Sequence, residues 1–176
     1  SVGFATLNPS FIPDMQWIFY YQVIASANVS LPYIDHIDMP QEKKDFYKGQ
    51  IYFFKAFTYL QIIRIWGDCI LLKDDVIFTA VAKSHWTEVA DYAIDLAKKA
   101  ISLLPDFDQM TDYNGNAIKY KSTPSKGAAN AVLAHLCAWK AGCKYMAQPD
   151  QQNYDEVDLW KTAEQACTDI IKRTDL

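Results

Sequence analysis

GQIYFFKAFTYLQIIRIWGD, residues 49–68, is the stretch on which the fold turns. Phe53, Ala56, Phe57, Leu60 and Ile63, with Phe46 just upstream, recur at helical spacing. Tyr52, Phe54, Tyr59, Ile62 and Ile65 cover much of the remaining circumference. Lys48, Lys55, Gln61 and Arg64 leave only narrow polar ground. A helix that is apolar nearly all round must be buried on most sides. The pattern therefore predicts a central helix from about Pro40 to Trp66, with Glu42 at its positive end. Gly67 and Asp68 end it, Gly67 by taking a positive φ and Asp68 by bonding nearby amides.

The segments around that helix are also helical. Asp14 caps a helix running to Leu31, with Pro32 as its stop. One of its stripes is Ile18, Tyr21, Ala25 and Asn28; the other is Trp17, Tyr20, Ile24, Ala27 and Leu31. Two stripes predict two packing neighbours. Asn28 is a polar residue on an apolar stripe, so it is expected to be buried and hydrogen-bonded. After a loop in which Ile70, Leu71 and Leu72 tuck inward, a third helix spans about Trp86 to Leu104 and stops at Pro105. Its core face is Val89, Ala93, Leu96, Ala100 and Leu103, widened by Trp86, Ala90, Ala97 and Ile101. Met110 to Lys121 reads as a β-hairpin about Asn114-Gly115. Thr123-Pro124 opens a fourth helix rich in alanine, and a fifth runs from about Val157 to Arg173 with Trp160, Ala163, Cys167, Ile170 and Ile171 as its stripe.

The expected fold class is all-α: tetratricopeptide-like helical hairpins in an alpha-alpha superhelix, with one small β-hairpin. Residues 1–13 form an irregular N-terminal segment and residues 14–176 the helical scaffold domain. Both ends look cut, which implies a processed or partial chain.

Composition narrows the function. The chain is 51% hydrophobic and 22% charged, which is globular rather than disordered. Its net charge of −4 argues against nucleic acid, whose recognition needs a basic surface. No apolar run approaches the roughly 20 residues of a spanning helix. Cys69, Cys137, Cys143 and Cys167 have no metal or redox spacing and read as small buried hydrophobes, their disulfide state left open. Asp112, Asn114 and Asn116 alternate as a calcium loop begins, but Gly115 is misplaced and Thr123 stands where a bidentate glutamate belongs. That segment is a plain turn, and no metal or cofactor is expected. Asp74-Asp75 and the pair Asp35 and Asp38 are solvated acids in loops, not a catalytic dyad. His36, His85 and His135 are isolated, with His135 a boundary residue in mid-helix. No catalytic residue is assigned. Trp66, Trp86, Trp139 and Trp160 pack by default; the sharper alternative is a stacking platform for sugar rings, whose apolar faces lie on aromatic faces. Lys126, a cation in a helix's first turn, calls for an acidic partner, Asp68 or Asp74.

Four stretches resemble one family, the SusD/RagB nutrient-binding lipoproteins of the Bacteroidetes outer membrane. The first is Trp17, Tyr21, Ile24, Ala27-Asn28 and Leu31. The second and most specific is Gly49 to Leu60 running on to Trp66-Gly67-Asp68-Cys69-Ile70-Leu71. The others are Ala90 to Pro105 and Ser125-Lys126-Gly127-Ala128-Ala129-Asn130-Ala131-Val132-Leu133-Ala134. Lys55 departs from the usual arginine, keeping the charge but losing the planar fork. Ile70 replaces valine, and Leu71 stands where the family usually has proline.

The resemblance implies a cell-surface protein of the outer membrane, held by a lipid on a cysteine outside this chain. It implies a TonB-dependent, SusC-like transporter barrel as partner, and an oligosaccharide, or sometimes a peptide, as ligand for import. It implies no enzymatic activity. The helical part would be scaffold and transporter-facing, and most ligand contacts would lie upstream of Trp17 and in a C-terminal half absent here. No ligand-binding residue is thereby assigned. The alternative expectation is a helical-repeat adaptor gripping a peptide or protein partner.

Overall fold

The structure, a computed structural model, describes residues 16–74 and 80–173. Within them five α-helices follow one another: α1 (Trp17–His36), α2 (Gln41–Trp66), α3 (Trp86–Leu103), α4 (Lys126–Gly142) and α5 (Glu156–Ile171). Each packs mainly on its sequence neighbour, and α2 also touches α4. The result is a run of helical hairpins with α2 and α3 at its centre. The expected 1–13 segment lies outside the described residues.

Burial follows the helical stripes in the middle of the chain. Ala56, Tyr59, Leu60, Ile62 and Ile63 of α2 meet Val89, Ala93, Leu96 and Ala97 of α3 and Leu133, Leu136 and Cys137 of α4 in one core. Gly49 sits where α2 passes the end of α3. A Cβ there would lie 2.9 Å from Leu104 Cγ and 3.2 Å from Leu103 Cβ, so the missing side chain permits the approach.

Several expectations change. Pro32 does not stop α1, which continues to His36. A proline inside a helix forfeits its own N–H bond and crowds the carbonyl four residues back; burial of Ile34 against the core offsets that cost and holds the next turn. Asp35 therefore lies on a helix, paired with Lys48, rather than in a loop. Tyr21 reaches the segment after α2 rather than a further helix, while Ile18 is 54% exposed. Asn28 is buried, as its stripe required. On α2, Phe57 is 43% exposed and Lys55 is fully buried, the reverse of their expected places. On α5, Ala163 and Ala166 face inward, whereas Trp160, Cys167 and Ile171 are exposed. This last of the described helices packs chiefly on α4, so a narrow small-residue face suffices.

The expected β-hairpin is a loop closed by a single antiparallel bridge, Thr111 with Ala117. Asp112 Oδ1 accepts from the amides of Asn114 and Asn116 at 2.8 and 2.9 Å, which ends the ladder. Gly115 takes φ +83° at the tip. The cap of α4 is Ser125, not Thr123: its Oγ accepts from Ala128 N at 3.4 Å.

Candidate functional site

The corner where α2 ends organises the surface. Gly67 has φ 70°, a conformation open to glycine, and it turns the chain sharply. Asp68 then faces the start of α3. Its Oδ1 accepts from Trp86 N at 2.9 Å, and its Oδ2 lies 3.5 Å from His85 Nδ1. Next, Cys69 and Ser84 form an antiparallel bridge.

Tyrosines and a lysine hold the segment beyond. Tyr21 Oη donates to Ile70 O at 2.8 Å. Tyr59 Oη donates to Leu72 O and accepts from Leu72 N, each at 2.9 Å. Lys55 Nζ donates to Lys73 O at 2.5 Å and to Tyr92 Oη at 3.0 Å, with Asp74 at 4.0 Å. Burial pushes the Lys55 ammonium down to about 8, against the pull of Asp74. Burial also raises the hydroxyls of Tyr21, Tyr59 and Tyr92 well above the usual tyrosine range. The inward tuck of Ile70 to Leu72 is thus fixed by side chains from α1, α2 and α3.

Beside this corner lies an amphipathic cleft of about 390 Å³. Three of the four singled-out tryptophans, Trp66, Trp86 and Trp139, line it, with Arg64, Asp68, Gln148 and Gln151 as its polar side chains. Trp66 stands edge-on to Trp17 and Tyr20, at centroid distances of 5.7 and 5.3 Å. The Arg64 guanidinium lies 5.5 Å from the Trp139 ring centroid. Trp160, the fourth, is not in the wall and is 48% exposed. Sequence reasoning had the tryptophans but not Arg64, Gln148 or Gln151. The two glutamines lie on an irregular connection, where no periodicity marks a facing residue.

The other singled-out residues do not converge. Asp112 turns onto its own loop amides, which hold its carboxyl below the usual range. Asp35 pairs with Lys48, and Asp38 is exposed. Asp75 lies outside the described residues. His135 is exposed on α4 rather than at a boundary; partial desolvation and the Arg64 charge lower its pKa. The acidic partner expected for Lys126 is not Asp68 or Asp74, whose ion pairs among the described residues go to His85 and Lys55. Cys69 and Cys137 are buried as expected, Cys143 is half-buried and Cys167 is exposed; all four are free thiols. Among the described residues no cluster of His, Cys, Asp or Glu could hold a metal ion.

Helical hairpins built about a central helix, with an aromatic cleft at its end, define an all-α helical-hairpin protein. Comparison with known proteins gives the family. Residues 9–137 match the model of the SusD-like_3 family, described as starch-binding and associating with the outer membrane. The chain belongs to this SusD-like family.

A curated relative, SusD-like protein P2 of Formosa agariphila, is 29% identical over 124 residues, 68% of this chain and 23% of that protein. A laminarin-binding SusD-like protein superposes with a TM-score of 0.74 at 19% identity, over 96% of this chain and 32% of that one. A crystal structure with xylogluco-oligosaccharide gives 0.72 at 19% identity, over 91% and 29%. At these identities the superpositions establish the shared helical fold. The chain spans about a quarter to a third of the length of these relatives.

Proposed function

We propose that this chain is the helical scaffold of a cell-surface glycan-capture protein that works with a TonB-dependent transporter barrel in oligosaccharide import. The observation that carries the reading is the family match across residues 9–137, on a fold shared with a laminarin-binding relative. The action is non-covalent. Rings stack on aromatic faces, hydroxyls bond to polar side chains, and the ligand is handed on unchanged. A lipid anchor on a cysteine outside this chain would hold the protein at the outer membrane.

The surface of the first helical hairpin supports a protein partner. Phe19, Val23, Phe54 and Phe57 are each between 42% and 54% exposed on α1 and α2. Phe19, Val23 and Phe54 share one groove between the two helices, which suits cover by another protein surface.

The test is affinity purification of the natural-length protein from outer membranes of its source cells, followed by mass spectrometry and glycan binding. Co-purification of a TonB-dependent barrel, an acylated cysteine and binding of an oligosaccharide are expected. A protein recovered without a barrel that binds no glycan would overturn the reading.

A further inference from the structure

We propose that the cleft between Trp66 and Trp139 is a subsite for one neutral pyranose ring, a placement that rests on the glycan-capture reading above. Four observations carry it.

The wall mixes the two chemistries that a sugar presents. A pyranose has an apolar face of C–H groups and a rim of hydroxyls. The cleft sets the indoles of Trp66, Trp86 and Trp139 beside Arg64, Asp68 and Gln151. Its volume of about 390 Å³ is within the range of small-ligand sites.

One wall group needs a partner. Gln151 Nε2 is buried and has no hydrogen-bond acceptor among the described residues. An amide donor in that state favours an arriving hydroxyl oxygen, because the ligand supplies the bond that folding left unmade.

The wall is also held in place before any ligand arrives. Trp17 and Tyr20 brace Trp66, Arg64 lies over Trp139, and Asp68 is fixed by the Trp86 amide. Ligand binding then orders little, which favours affinity.

The charges select the class of sugar. Arg64 and Asp68 supply one cation and one carboxylate. A neutral ring suits that balance better than a uronate or a sulfated sugar. The groove between α1 and α2 has a different character: Phe19, Val23, Ile51 and Phe54 line it with uncharged Gln22 and serines, and it offers no charged group.

The test is isothermal titration of the natural-length protein with laminarihexaose, maltoheptaose and a xyloglucan heptasaccharide. Wild type is compared with Gln151→Leu, Trp139→Ala and, outside the cleft, Trp160→Ala; thermal unfolding checks each fold. At least one glycan is expected to bind. Gln151→Leu and Trp139→Ala should each weaken it at least tenfold or remove one binding event, and Trp160→Ala should not. Gln151→Leu breaks no hydrogen bond of Nε2, so it reads the site even if Trp139→Ala fails to fold. Unchanged affinity and stoichiometry in Gln151→Leu would overturn the subsite and leave the glycan reading standing. A wild type that binds none of the three would overturn the glycan reading and the subsite together.

Discussion

Asp68, just past the glycine that ends α2, accepts a 2.9 Å hydrogen bond from the backbone N–H of Trp86, the first residue of α3. The two are 18 residues apart. One carboxylate thus caps a helix to which it is not adjacent in sequence, and ties the end of α2 to the start of α3. His85, the residue before α3, makes no capping bond with its own side chain.

Asp68→Ala should therefore cost about 1 kcal/mol, the usual value of a helix cap. Asp68→Asn keeps an acceptor oxygen and should cost less. Urea denaturation of both variants checks the order. Equal losses would show that charge, not the acceptor, is what matters.

Among the described residues, Tyr59 Oη bonds both backbone groups of Leu72. Tyr59→Phe leaves a partly buried N–H and C=O without their protein partner. The expected cost is about 1–3 kcal/mol, larger than that of an exposed hydroxyl. A melting temperature within one degree of wild type would refute this.

Lys55 gives a pH dependence with a definite sign. Its folded pKa is about 8, below the ordinary lysine value of 10.5. Between those values the unfolded chain binds a proton that the folded chain does not. Stability should rise with pH across that window, by about 1–2 kcal/mol. Tyr21, Tyr59 and Tyr92 act oppositely. Their folded pKa values are raised, so their contribution is present below the ordinary tyrosine value of about 10 and lost as pH climbs above it. Stability should peak in the alkaline range, and Lys55→Met should flatten the rise below pH 10. Denaturation midpoints from pH 7 to 11 test the shape.

Gly49→Ala should destabilise despite the better helix propensity of alanine. The gain is about 1 kcal/mol, whereas overpacking a tight contact costs about 1–3 kcal/mol. Leu104, which the new methyl would meet, is only 2% exposed and has little room to yield. A stabilised variant in thermal unfolding would show that the α2–α3 contact relaxes freely.

The thiols should differ in reactivity. Burial pushes Cys69 and Cys137 up to about 11, whereas Cys167 is exposed. A thiol reagent at pH 8 should label Cys167 within minutes and reach Cys69 and Cys137 only on unfolding. Mass mapping of the labelled peptides reads the order.

The sequence by itself determined the helices and their partners in the middle of the chain. Apolar residues at helical spacing made α2 and α3 central, Gly67 marked the turn, and the four matched stretches carried the family. What only the tertiary structure decided depends on which neighbour is present. Phe57 and Lys55 lie two residues apart on α2, yet the phenyl is exposed and the ammonium buried. Hydropathy predicts the reverse; the acceptors Lys73 O and Tyr92 Oη, distant in sequence, overrule it. Pro32 ends a helix by local rules, but burial of Ile34 carries α1 past it. The cleft was half legible: tryptophans stand out in any sequence, but Gln148 and Gln151 reach the same wall only because the chain after α4 folds back. Periodicity encodes which face of an element is buried. It does not encode which groups from separate elements meet, because that is set by packing across the whole core.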